Sequence, residues 1–62
     1  MNEKILTDAD TERFIANMGA KLARIAGEAS VYVAKQVNLT VTVFPGPKAG
    51  TRRVRVVRGC VC

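Results

Sequence analysis

The first half of the chain carries apolar residues at alternating spacings of three and four positions, which is the repeat of an amphipathic helix. The members of this stripe are Ile15, Met18, Leu22, Ile25, Ala29 and Tyr32. Thr7 or Asp8 can cap the start of the helix, because a short polar side chain there accepts from unpaired N–H groups of the first turn. The spacing therefore predicts one long helix over about residues 8–36.

A second stripe of small residues lies beside the first, at Gly19, Ala23 and Gly27. Glycine within a helix costs about 1 kcal/mol relative to alanine, so Gly27 could instead end a first helix, with a second one over 28–36. The apolar stripe passes through Gly27 in register, which favours the single helix. Its apolar seam, defined by the six residues above, is then the predicted contact between two copies of the chain.

From residue 37 onward the apolar repeat changes to two, which is typical of a half-buried strand. The alternating apolar positions are Val37, Leu39, Val41 and Val43. A loop with two prolines follows, and a second strand over about 52–61 completes a β-hairpin with residues 37–44. We therefore predict an α+β fold in one small domain, residues 1–62, with a basic hairpin half at 37–62.

The second strand contains a conflict between its alternation and its charge. Val54 and Val56 alternate with arginines, and the same alternation would place Arg58 on the apolar face. A β-bulge at Val56 and Val57 would reset the phase, and we prefer it because no unpaired charge is then buried. The outer face would then carry three arginines in line and two threonines: Arg53, Arg55, Arg58, Thr40 and Thr42.

The small size of the chain favours self-association. A domain of about 60 residues buries only about 60% of its unfolded surface and is marginal as a monomer. A two-stranded hairpin is not stable alone. We expect a homodimer formed through the helix seam, the hairpin edges or both.

Charge is distributed unevenly along the chain. The net charge is +5, and residues 1–36 carry five acids and five bases, whereas residues 37–62 carry five bases and no acid. A basic segment of this kind indicates an anionic partner. The arginine fork matches phosphate geometry, and a two-stranded ribbon fits the major groove of DNA. The predicted contact residues are Arg52, Arg53, Arg55, Arg58 and Lys48, with Thr40 and Thr42.

Several classes of chemistry find no support in the sequence. The chain has no histidine, no paired carboxylates beyond the predicted helix start, and no glycine-rich phosphate loop. Cys60 and Cys62 would supply only two of the four ligands that zinc takes, so they are weak metal candidates and we predict no metal and no cofactor. No apolar run approaches the roughly 18–20 residues of a membrane span, and no signal peptide is evident, so we expect a cytoplasmic protein without a small-molecule substrate.

Two functional hypotheses follow, and neither is enzymatic. The first is a nucleic-acid-associated regulator that contacts phosphates through the arginine-rich hairpin. The alternative is an inhibitor or adaptor, of the kind encoded by phages and other mobile elements, that docks its basic face or a free hairpin edge on an acidic protein surface.

Overall fold

A computed structural model of the chain describes residues 2–59. It contains one helix and five strands: β1 (Asn2–Thr7), α1 (Asp8–Met18), β2 (Lys21–Ala26), β3 (Ala29–Ala34), β4 (Leu39–Pro45) and β5 (Thr51–Arg58). A single 3₁₀ turn, Lys35–Val37, joins β3 to β4. The strands form one antiparallel sheet in the order β1-β5-β4-β3-β2, so β1 and β2 are its two edges.

Helix α1 packs on one face of the sheet, mainly against β1 and β5. We call this side the helix face and the opposite side the open face. Ile15 of the helix meets Val41, Val43 and Val54 of the central strands in the buried core. The hydrophobic effect thus holds α1 over the β1–β5–β4 half of the sheet, while the β2–β3 half extends beyond it.

The predicted long helix is wrong, because α1 ends at Met18 and residues 21–34 form the hairpin of β2 and β3. Gly19 has φ +67° and ends the helix, and Gly27 has φ +62° in the two-residue turn between the strands. These are left-handed conformations that glycine adopts more readily than other residues. A turn with glycine at its first central position is the II′ type that suits a two-residue hairpin.

A β-bulge in β2 explains why the pattern resembled a helix. Residues three apart on a regular strand point to opposite faces. The pairing of β2 with β3 shifts between Leu22 and Arg24, leaving Ala23 as an extra residue. Leu22 therefore pairs with Tyr32, and Ile25 pairs with Ser30, so both apolar side chains lie on the helix face despite their helical spacing.

The predicted dimer seam is consequently not one surface. Ile15 is only 8% exposed, and both it and Met18 pack in the monomer core. The other members lie on two strands, with Leu22 and Ile25 on β2 and Ala29 and Tyr32 on β3. Hairpin edges are not available for self-pairing either, because β3 covers β4 and β1 covers β5.

The two strands expected over 37–44 and about 52–61 are present as β4 and β5, at the centre of the sheet rather than in an isolated hairpin. The first strand begins two residues later than predicted, because Val37 belongs to the 3₁₀ turn and is 52% exposed. Residues 60–61 of the second predicted strand lie outside the described residues. The bulge at Val56 and Val57 is wrong, since the pairing with β4 continues without a shift to Arg58. Arg58 does fall on the helix face, but it ends the strand and stays exposed. No charge is buried there, so no bulge is needed to avoid it.

The start of the helix follows the sequence prediction. The Oγ1 atom of Thr7 accepts from the N–H of Asp10 at 3.1 Å, which confirms a capping side chain at this position. Thr11, which is fully buried, donates its hydroxyl to the carbonyl of Thr7 at 2.8 Å. This second bond removes the desolvation penalty that an unpaired hydroxyl would carry.

Candidate nucleic-acid interface

The open face of the sheet carries the arginines for which an anionic partner was predicted. Val54 and Val56 point to the helix face, so the alternation of β5 places Arg53 and Arg55 on the open face. Arg53 pairs across the strands with Phe44. The same side of β4 also carries Thr40 and Thr42, as the sequence predicted.

Phe44 supports both of these arginines. The guanidinium carbons of Arg53 and Arg55 lie over its ring, 5.2 and 5.4 Å from the centroid. Each cation–π contact at such an exposed site contributes about 0.5–1 kcal/mol. The ring therefore holds two long, flexible side chains side by side, which lowers the entropy lost when they bind an anion. We call these three residues the Arg–Phe–Arg cluster.

Further charges extend the positive potential of the open face. The pairing of β2 with β3 places Lys21 and Arg24 on this side. Among the described strand residues of the face, Glu3 is the only acid. Its Oε2 atom lies 3.2 Å from Nη2 of Arg55. Both side chains are about two-fifths exposed, so the pair is weak and an incoming anion can displace Glu3.

The remaining predicted contact residues lie elsewhere. Arg52 is on the helix-face side of β5, where its Nε donates to Oδ1 of Asp8 at 2.9 Å. Arg58 lies on the same side at the end of β5, and Lys48 is in the β4–β5 loop. The seven predicted residues thus separate into four on the open face and three that do not join them.

The threonines of the open face differ in their hydrogen bonding. The hydroxyl of Thr40 donates to the carbonyl of Gly59 at 2.7 Å, an interaction that ties the end of β5 to β4. Thr42 lies directly opposite Arg55 in the ladder. It is therefore the threonine placed to add a hydroxyl contact beside the guanidinium groups.

The contributions of Phe44, Lys21 and Arg24 to this face were not part of the predicted site. The alternation of β4 places Phe44 on the side of Thr40 and Thr42, but its contact with the arginines depends on the register between β4 and β5. Lys21 and Arg24 belonged to a predicted helix. The signal that could have moved them to a strand was Gly27 followed by a polar residue between two short apolar segments, which is typical of a tight hairpin turn.

Other kinds of site lack support in the described part of the chain. Across residues 3–59, no group of three or more His, Cys, Asp or Glu side chains is arranged to hold a metal ion. The weak metal candidates Cys60 and Cys62 lie outside the described residues. The search of that same region also found no helix with the length and apolar character needed to cross a membrane.

No protein-family model matches the chain, and the curated proteins and the solved structures likewise yielded no match.

Proposed function

We propose that this protein is a small, non-enzymatic nucleic-acid-binding regulator of the cytoplasm that contacts phosphates through its open face. The observation that carries the proposal is the Arg–Phe–Arg cluster, which presents two guanidinium groups from one rigid sheet. Arginine binds phosphate through charge-assisted, often bidentate hydrogen bonds. The sheet keeps these groups in place before the ligand arrives.

The cluster favours phosphate contacts over base stacking. A base that stacks on an aromatic side chain needs a free ring face, whereas the ring of Phe44 lies beneath two guanidinium groups. The expected mode of binding is therefore electrostatic and largely independent of base sequence. It fits a duplex backbone better than an array of unstacked bases.

The width of the charged face favours an extended polyanion. Arg53 and Arg55 lie on β5, and Lys21 and Arg24 lie on β2, which is three strands away. Three strand spacings amount to about 14 Å. A row of phosphates can reach cations distributed over that distance, whereas one carboxylate reaches a single guanidinium.

Fluorescence anisotropy with a labelled mixed-sequence duplex tests the proposal. Arg53→Gln with Arg55→Gln removes two charges from the open face, and Arg52→Gln with Arg58→Gln removes two from the other side of the same strand. Each double variant lowers the net charge from +5 by the same amount. Loss of two solvent-exposed ion pairs with phosphate, each contributing about 0.7–1 kcal/mol, should weaken binding by about 10- to 30-fold in the first variant only. Equal weakening in both would contradict the assignment of binding to the open face.

The salt dependence of DNA binding is a second test of the same site. Four basic groups on the face predict a slope of log K against log[salt] of about −3 to −4 for duplex DNA. The open-face variant should reduce this slope by about two, and the control variant should leave it unchanged. A slope near zero for the parent protein would exclude phosphate contacts.

The second candidate function is an inhibitor or adaptor that docks on an acidic protein surface. The contact between Glu3 and Arg55 favours it, because a carboxylate already occupies one position of the cluster. A glutamate-rich peptide of matched charge separates the two candidates. Equal or tighter binding of that peptide, with the same dependence on Arg53 and Arg55, would favour the protein-docking function.

A further inference from the structure

Strand β2 is an edge of the sheet with an outer side that pairs with no strand in the region 2–59. All six of its residues are exposed. Leu22 is 53% exposed and Ile25 is 67% exposed, and both lie on the helix face next to β3. Helix α1 packs mainly on β1 and β5 at the opposite half of the sheet. This edge therefore combines unpaired backbone groups with two uncovered aliphatic side chains.

We propose that a second copy of the chain pairs with β2 in antiparallel register. The order of residues along the strand is Lys21, Leu22, Ala23, Arg24, Ile25 and Ala26. A two-fold axis between Ala23 and Arg24 places Leu22 of each copy opposite Ile25 of the other. Such a self-complementary patch is what a two-fold symmetric interface requires.

The bulge in β2 makes this register favourable. Because it puts Leu22 and Ile25 on the same face, the two cross-strand pairs form one continuous apolar patch. Neighbouring Tyr32 packs against the core and pairs with Leu22 within each chain, so the patch joins the existing hydrophobic layer. In the same register Arg24 lies opposite the small residue Ala23 of the other copy, which leaves room for the longer side chain.

Opposite charges at the two ends of β2 favour a second copy of the chain as the strand that pairs with this edge. In this register Lys21 lies opposite Ala26 of the other copy, beside the turn that contains Glu28. Within one chain, Lys21 and Glu28 stand at opposite ends of a six-residue strand, about 20 Å apart. Neither forms an ion pair in the described part of the chain. The dimer would place Lys21 of each copy beside Glu28 of the other, which gives two such charge pairs.

The pairing would join two five-stranded sheets into one and make their open faces continuous. Arg24 of both copies would lie beside the axis and Lys21 at the two ends of the paired strands, all between the two Arg–Phe–Arg clusters. The dimer rests on the β2 edge and not on the proposed function, so its test contains no nucleic acid. Six paired residues per copy make a small interface, and such interfaces form transient rather than obligate assemblies.

Sedimentation across low to high micromolar concentrations, in a reducing buffer, tests the proposal. The parent chain should pass from monomer to dimer as its concentration rises. Ile25→Arg should remain monomeric, because it puts a charge into the apolar patch. Ile5→Arg is the matched control, since Ile5 is 56% exposed on the other edge strand, and it should dimerise like the parent.

A charge exchange tests the register. Lys21→Glu should weaken dimerisation by placing two acids together, and Lys21→Glu combined with Glu28→Lys should restore it. A parent chain that stays monomeric at every concentration would overturn the proposal and leave the edge to a strand of another protein. Dimerisation that survives Ile25→Arg, or a double exchange that fails to restore it, would also overturn the proposed pairing.

Discussion

Replacing Gly27 with alanine distinguishes the observed hairpin from the helix that the apolar spacing favours, because the two structures predict opposite signs. In a helix, Gly27→Ala would stabilise the protein by about 1 kcal/mol. In the hairpin turn the residue has φ +62°, a conformation that costs an L-residue about 1–2 kcal/mol. The same substitution is then destabilising.

The change in the free energy of unfolding caused by Gly27→Ala has two contributions. A Cβ atom at Gly27 would meet no heavy atom within 4 Å, so steric collision adds nothing to the backbone strain. Alanine also reduces the conformational entropy of the unfolded chain, which offsets about 0.4–1 kcal/mol. The net loss lies between about 0 and 1.6 kcal/mol. Its midpoint of about 0.8 kcal/mol corresponds to roughly 3–6 °C in Tm for a domain of this size.

Thermal and urea unfolding followed by far-UV circular dichroism measures this loss. A chemically synthesised chain with D-alanine at position 27 is the control, because a D-residue adopts positive φ without strain and keeps the entropic benefit. It should unfold at or above the parent Tm. A rise in Tm with L-alanine and a fall with D-alanine would refute the turn and support a helix through this position.

Two further pairs of substitutions test the core and the helix start. Val41→Ala should lower the free energy of unfolding by about 1.5–3 kcal/mol, since Val41 is fully buried. The control Val57→Ala, at a site that is 36% exposed, should lower it by less than about 1 kcal/mol. Equal losses in urea titrations would contradict the placement of the core. Thr7→Ala should lower the free energy of unfolding by about 1 kcal/mol, because the helix loses its capping side chain. Thr7→Ser keeps a hydroxyl and should retain most of that stability. Equal losses in both variants would show that the hydroxyl does not act as the cap.

The features that could be predicted from the sequence are those that depend only on neighbouring residues. The cap at Thr7 and the alternation of Val41 and Val43 are of this kind, because a first turn or a strand face involves only a few adjacent positions. The open-face placement of Arg53 and Arg55 follows from the same alternation. In each case the period of the pattern directly sets the direction of the side chain.

The error over residues 19–36 has a specific cause. Leu22 and Ile25 are spaced as on a helix but share a sheet face because Ala23 is an extra residue. A bulge in β2 thus imitates helical periodicity, and a six-residue strand is too short to show a sustained alternation. The bulge expected at Val56 rested on avoiding a buried charge, but Arg58 ends its strand and remains exposed.

The candidate site depends on register between segments that are distant in the sequence. Phe44 lies beside Arg53 only because β4 and β5 pair as they do. Glu3 reaches Arg55 from a strand at the other end of the chain. Asp8 likewise pairs with Arg52 on the opposite side of β5. Composition indicated a basic half, and the sheet determines which of its charges act together.

An NMR titration of the labelled protein with duplex DNA locates the binding surface directly, because it reports on each arginine side chain separately. Binding through the open face should shift the Nε–H resonances of Arg53 and Arg55, along with the amides around Phe44, while the resonances of Arg52 and the helix amides stay in place. Shifts centred on Arg52, Arg58 or α1, or no shifts at low salt, would contradict binding through the open face.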